Sequence, residues 1–390
     1  MKRMFALLLA VVMIVGMMAA CSKKDDKMKV GFIFLHDEQS TYDKNFIDAA
    51  KEACEKMGVT MVQKTQIPES QACYDAAVEL IETEGCDLIF ADSFGHESFL
   101  IEAAKKYPDV QFCHATGTQA HTAGVKNFHN AFASIYQGRY AAGVVAGLKL
   151  NEMIEKGEIT ADKAKMGYVG AFPFAEVKSG YTSFYLGAKS VCPSVTMDVK
   201  FTDSWYDETA EKEAAKALIN GGCKLISQHA DSMGAPTACE TAKVPNVSYN
   251  GSTAAACPET FLISSRINWA PYFEYMITQV KEGKEIATDW TGTIETGSVV
   301  LTDLGKNVAA GTREKLDAVV EGLKNGSINV FDTKNFTVKG ETLSSYKADV
   351  NTDEKFTPDT EVIASGIFQE SKFRSAPYFD LEIDGINLLK

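Results

Sequence analysis

His229 and Asp231 stand two residues apart at the end of the apolar run CKLISQHA. A histidine near a carboxylate is the smallest unit of general acid–base chemistry. Side chains two apart on an extended segment share a face, so the pair could serve as a base and its orienting partner. The simpler assignment gives one residue to orientation and the other to hydrogen bonding. Nothing nearby completes a catalytic set. Ser252 follows a glycine in YNGSTAA, but a nucleophile elbow needs a second glycine where Ala254 stands. The phosphate-loop, dinucleotide-fingerprint and H-E-x-x-H patterns are absent, as is any metal-site spacing of His and Cys. No two carboxylates can be paired by spacing for glycoside hydrolysis. His114, in HATG, reads as a structural donor, and His36, His96, His121 and His129 are scattered. The expectation is a binding protein with no catalytic residue, no metal and no cofactor; an enzyme built on Asp231 and His229 is the alternative.

Trp205 strengthens the binding reading. It lies in FTDSWYDE, residues 201–208, between a strand-like and a helix-like run. Loops are usually built from small polar residues, so a large ring there suits an anchor for a ligand that comes and goes. The segments that must position it alternate in type. MKVGFIFL is a short, nearly continuous apolar run, as expected of a strand covered on both faces. Phe46, Ala49, Ala50, Ala53 and Met57 then fall on one helical face, with Gly58 placed to stop the helix. TMVQK, CDLIFAD and VQFCHAT continue as strands, with helices over 69–84 and ESFLIEAAKKY between them. A long helical segment, roughly 133–156, precedes a second series. Its strands are KMGYVGAF, TMDVKFT, CKLISQHA and VPNVSYN; its helices span 176–190, 208–220 and APTACETA. Such alternation predicts an α/β fold with two similar lobes, each a parallel sheet covered by helices. From about residue 330, FTVKGETLSSY, EVIASGIFQES and YFDLEIDGINLL read as short alternating strands of a small β appendage.

Ligands of open parallel sheets lie beyond the carboxyl ends of the strands. Those ends read LHDEQSTYD, ADSFG, HATG, GAFPF, TDSWYD, QHADS and YNGS. Rings there supply stacking area, short polar groups supply directed hydrogen bonds, and glycine admits close backbone approach. The set predicts one cleft shared by the two lobes.

The composition sets the surroundings. At 390 residues the chain suits two domains, and 45% hydrophobic with 23% charged residues is the balance of a globular protein. A net charge of −13 argues against nucleic acid as a partner. Residues 1–20 carry Lys2 and Arg3, an apolar stretch from Met4 and then Ala19 and Ala20 before Cys21, the pattern of a secretory leader. The junction resembles the lipobox of bacterial lipoproteins, which implies cleavage before Cys21, lipidation of its thiol, and attachment to the outer face of a bacterial membrane. Residues 21–27 would form the tether. Eight cysteines follow without a C-x-x-C pair, and several fall in apolar strands, so mostly free buried thiols are expected.

FHNAFASIYQGRYAAGVVAG, FTDSWYDETAEKEAAKALINGG and QHADS, supported by SFG, HATG and NWAPYF, resemble the basic membrane protein family of substrate-binding lipoproteins, the partners of ABC importers. The resemblance covers about residues 28–325, and SW-x-D with QH-x-DS resembles the branch linked to purine bases or nucleosides. It implies the type I periplasmic binding protein fold: two Rossmann-like lobes on a three-segment hinge, closing around a small molecule that is passed to a membrane permease. On this basis residues 28–132 and 261–290 form the first lobe, 133–260 and 291–329 the second, and 330–390 the appendage. Tyr42 takes the place of a branch tryptophan and Trp205 matches another, so these rings would face the flat ligand from the two lobes. Asp231 would accept from purine N–H groups or ribose hydroxyls. Phe46, Ser93, Phe94, Gly95, Thr116, Phe172 and Asn250 fall at the other cleft positions. Asn250 stands where relatives often carry Asp, and Ile47 where other branches carry Asn. A nucleoside hydrolase or phosphorylase, or a sensing module for a sugar or autoinducer, would use the same fold.

Overall fold

The computed structural model describes residues 27–351 and 357–390. The leader, Cys21 and most of the tether lie outside the described residues. The first strand, β1 (Lys29–Ile33), is buried from Val30 onward and leads to helix α1 (Thr41–Met57). Ser40 caps that helix by accepting from the Asp43 N–H at 3.2 Å, and Gly58 ends it in the left-handed conformation. The series continues through β2 (Thr60–Lys64), α2 (Gln71–Glu82), β3 (Leu88–Ala91), α3 (Glu97–Lys106), β4 (Gln111–Ala115) and β5 (Phe128–Ala133). The chain then crosses to the second lobe. There it forms α4 (Tyr136–Glu155), β6 (Lys165–Gly170), α5 (Ala175–Lys189), β7 (Thr196–Phe201), α6 (Glu208–Asn220), β8 (Leu225–His229), α7 (Gly234–Ala242), β9 (Asn246–Tyr249) and β10 (Phe261–Ile267). It returns to the first lobe for α8 (Ala270–Lys281) and β11 (Asp289–Gly292), and recrosses to β12 (Val299–Leu301) and α9 (Thr312–Lys324).

The first sheet has the order β11-β5-β4-β3-β1-β2, all parallel. The second contains β12-β10-β9-β8-β6-β7 and is parallel apart from β12, which runs antiparallel to β10. Three segments therefore join the lobes: 134–135, 268–269 and 293–298.

Two assignments change. Residues 261–290 were expected in the first lobe, but Phe261–Ile267 pairs with β9, placing Ile263 opposite Val247 in the second sheet. Leu262 and Ile263 are fully buried there, so the crossing comes only at Asn268. The region from 330 is no separate β unit. Its only strands among the described residues are two two-residue ladders, β13 (Lys347–Ala348) with β14 (Thr360–Glu361) and β15 (Ile363–Ala364) with β16 (Ile367–Phe368), and β17 (Ile386–Leu389). The last of these adds to the second sheet as its outer strand, parallel to β7. Much of the region is irregular chain folded around Phe331, Phe336, Phe368 and Phe379, all buried.

Helices α4 and α5 meet at backbone contact. A Cβ on Gly187 would come 2.0 Å from the Tyr140 carbonyl oxygen, and one on Gly143 equally close to that of Phe184. Gly187→Ala is therefore expected to push the helices apart and to cost about 1–3 kcal/mol. A urea midpoint equal to wild type would show that the helices do not need this approach. The eight cysteines from Cys54 to Cys257 are buried and free, and burial pushes thiols such as Cys54, Cys86 and Cys223 up to about 12. Among the described residues no helix is long and apolar enough to cross a membrane.

Candidate functional site

The strand ends of both sheets converge on a cleft with about 370 Å³ of empty space, open solvent included. From the first lobe it takes Leu35, His36, Tyr42, Ser93, Phe94 and Thr116; from the second, Glu176, Trp205, His229, Asp231 and Tyr249. Each side chain is held by its own element. Tyr42 occupies the first turn of α1, donates its hydroxyl to the Asp92 carbonyl at 2.7 Å and packs edge-on against Phe46. Glu69 pins the loop after β3: its Oε1 accepts from Ser93 Oγ at 2.6 Å and from the Gly95 N–H at 2.7 Å. Phe94, between those two contacts, is left 38% exposed and faces the cleft. Thr116 has φ +66° and is buried, and its hydroxyl finds no partner among the described residues.

Across the cleft the second lobe builds an aromatic wall. Phe172 meets Trp205 edge-on at 5.1 Å and stacks on Phe174 at 5.1 Å. Phe174 in turn reaches Phe94 of the first lobe at 5.5 Å. The lobes also touch through polar groups. The Thr41 N–H is one of the orphan donors of a helix first turn, and it donates to the Asp231 carbonyl at 3.1 Å. Asn45 Nδ2 lies 3.4 Å from Asn250 Oδ1, and Asn250 Nδ2 lies 3.4 Å from Asp231 Oδ1. The lobes are thus closed on each other.

The cavity holds polar side chains from both lobes. Asp231 is buried, and burial, with Glu211, Asp43 and Glu176 nearby, drives its carboxyl well above the usual range. Burial lowers the pKa of His229, keeping the ring neutral; its Nε2 lies 3.4 Å from Glu176 Oε1 and its ring rests 4.3 Å from Tyr249. No Lys or Arg lines the cavity among the described residues. Such a site suits a flat molecule that presents both hydrogen-bond donors and acceptors.

Of the residues expected from the sequence, Tyr42, Ser93, Phe94, Thr116, Trp205 and Asp231 line the cavity. Four do not. Phe46 is fully buried and stacks on Trp269 at 4.4 Å, so it is core behind Tyr42. Gly95 fits against Glu69, whose Cδ would lie 2.5 Å from an added Cβ. Phe172 buttresses Trp205, and Asn250, at φ +63°, links Asp231 to the other lobe. His229 faces Glu176 instead of forming the dyad with Asp231 that their spacing allows. Leu35, His36, Glu176 and Tyr249 were not anticipated as lining residues. Glu176 left one signal, a carboxylate two residues past the strand end GAFPF in the first turn of a helix.

The sequence was compared with known proteins. The family model described as ABC transporter substrate-binding protein PnrA-like, Bmp, matches residues 32–334. A purine-binding protein of Brucella abortus is 32% identical over 321 residues, covering 81% of this chain and 86% of its own length. TsgA13 of Haloferax volcanii, provisionally named an ABC transporter glucose-binding protein, is 32% identical over 245 residues; the match spans 63% of this chain but only 59% of that relative. Among solved structures, an ABC transporter solute-binding protein of Aeropyrum pernix superposes with a TM-score of 0.65 at 16% identity, over 81% of this chain and 94% of its own. That likeness extends to the two-lobed fold.

Proposed function

The chain belongs to the Bmp family of PnrA-like ABC transporter substrate-binding proteins, and from that premise we propose that its ligand is a purine base or nucleoside. A protein of this family works outside the cytoplasm, with a small-molecule ligand and a membrane permease as its partners. The observation that carries the ligand assignment is the pairing of aromatic walls with two carboxyl groups in a cavity without Lys or Arg. A purine offers both π faces to rings such as Tyr42, Phe94 and Trp205, and its N–H groups to Glu176 and Asp231. Offset ring stacking contributes about 0.5–1.5 kcal/mol beyond burial. The name of the Brucella relative supports the same class. Lipidation at Cys21, which would hold the protein at the membrane, belongs to the same reading.

Capture needs no chemistry. A ligand held by both lobes favours their closed arrangement by its differential affinity for it, and the permease receives the closed form. Adenine, guanosine and glucose, each added to the purified protein in a thermal melt, separate the readings. A purine is expected to raise Tm by several degrees and glucose to leave it unchanged; stabilisation by glucose alone overturns the purine assignment. Recovery of guanosine unaltered after overnight incubation with phosphate present distinguishes binding from hydrolysis or phosphorolysis, the reactions of the alternative built on Asp231 and His229.

Glu176 is the residue that sets the donor requirement. Its Oε1 faces His229, and the carboxylate borders the cavity. Glu176→Ala is expected to weaken the best purine about tenfold, the worth of a hydrogen bond to the ligand. Unchanged affinity by calorimetry would remove Glu176 from recognition.

A further inference from the structure

The region beyond the family match, from residue 335, runs from one lobe to the other and back. Glu370, 2% exposed, accepts from Ser179 Oγ of α5 in the second lobe at 2.6 Å. Five residues later Ser375, fully buried, donates both its N–H and its Oγ to Asp289 Oδ1 at 2.8 Å each. Asp289 begins β11, the edge strand of the first lobe. His121, also of the first lobe, lies 3.4 Å from the other Asp289 oxygen and 3.0 Å from the Val350 carbonyl. The chain then returns to the second lobe, where Lys178 reaches the Asp380 carbonyl at 3.3 Å and β17 pairs with β7. Arg374 stiffens the crossing, donating to the carbonyls of Ala376 and Pro377 at 3.1 Å each.

We propose that residues 370–376 form a non-covalent tie between the lobes that restrains their opening about the three hinge segments. Glu370 and Ser375 are five residues apart, so even fully extended chain spans at most about 18 Å between the anchors. Lobe separation beyond the slack in that span must break the bonds at Asp289 or at Ser179. Glu370 and Ser375 are themselves buried, so neither contact is lost by local fraying alone. The tie favours the closed arrangement before ligand arrives and slows ligand exchange. It does not depend on which ligand is bound.

Hydrogen–deuterium exchange of the full chain without ligand tests this directly. The Thr41 amide is bonded to the Asp231 carbonyl across the cleft, so its exchange reports opening. Asp289→Ala and Ser179→Ala, which cut the tie at opposite ends, are each expected to speed exchange in the peptide containing Thr41 about tenfold. Ser345→Ala, which removes a bond to Glu361 within the same region, is expected to leave that rate unchanged. Equal rates in wild type and both anchor variants overturn the proposal. So does an equal rise in Ser345→Ala, which would mean that the region acts through general stability. Should one anchor variant fail to fold, the other decides alone. Failure of the purine assignment would leave these rates untouched, because no ligand enters the measurement.

Discussion

Trp205→Ala is expected to weaken ligand binding by about 3 kcal/mol, roughly 150-fold, while the protein stays folded. The ring is half-buried in the closed arrangement and is braced edge-on by Phe172. Its loop also fixes Asp231, whose N–H donates to the Trp205 carbonyl at 3.0 Å. That backbone contact survives the substitution, so the variant isolates the ring. On the proposed reading, what it loses is one face of contact with the ligand and part of the wall of the cavity. Buried aromatic anchors of this kind carry a large share of binding free energy. Trp205→Phe should recover most of the loss, since a smaller ring on the same Cβ still stacks. Calorimetric titration with the purine that most raises Tm measures both. An alanine variant within threefold of wild type would show that Trp205 is not part of the clamp.

Glu370 is expected to contribute a loss of stability as pH rises from about 5 to 8, and Glu370→Gln should remove that contribution. Burial pushes Glu370 up to about 8 from an ordinary 4.5, with Glu176 adding in the same direction and Ser179 and Arg374 opposing. Below pH 4.5 the carboxyl is protonated whether the chain is folded or not, and ionisation costs nothing. Between 4.5 and about 8 the unfolded chain releases the proton and the native state keeps it, so each pH unit costs about 1.4 kcal/mol. Above 8 both forms are ionised and the loss is complete, on the order of 5 kcal/mol for this group. Glu211, raised to about 7 by burial, acts in the same sense. Glutamine matches the protonated acid in shape and still accepts from Ser179. Urea midpoints at pH 5, 7 and 9 test the point; an unaltered slope in Glu370→Gln would place the pH dependence elsewhere.

Much of the architecture could be read in the sequence because a covered parallel strand and an amphipathic helix have different periods. The helix expected at 208–220 is observed at Glu208–Asn220. What escaped were elements whose pattern is ambiguous. FHNAFA, now β5, mixes polar and apolar residues because Asn130 is buried to reach Glu97 at 3.1 Å. The buried run at 261–267 carries no mark of which sheet it joins; that is decided by pairing partners distant in sequence. The region after 330 alternates like a strand but uses its rings to fill one small core, and alternation alone cannot tell these apart. At the site, strand ends could be located from the pattern but orientation could not. Phe46 and Tyr42 are four apart on one helix, so both fall on the same face. Only the packing of Trp269 determines that Phe46 is interior and Tyr42 is wall.

The outer strand of the second sheet also bears on how the protein is made. Asn387 bonds to Asp198 at 3.0 Å, yet the two are 189 residues apart in sequence. While the chain is being synthesised, β7 has β6 on one side and an open row of N–H and C=O groups on the other, until residues 386–389 arrive. An open edge invites pairing with another chain, and closing so long a loop is slow. The first lobe has no comparable wait, since its last strand, β11, comes almost a hundred residues earlier. The two halves therefore mature at different times. A nascent chain stalled after β12 would present a nearly finished first lobe beside a second lobe with one bare edge, the stage at which a protective chaperone has most to do.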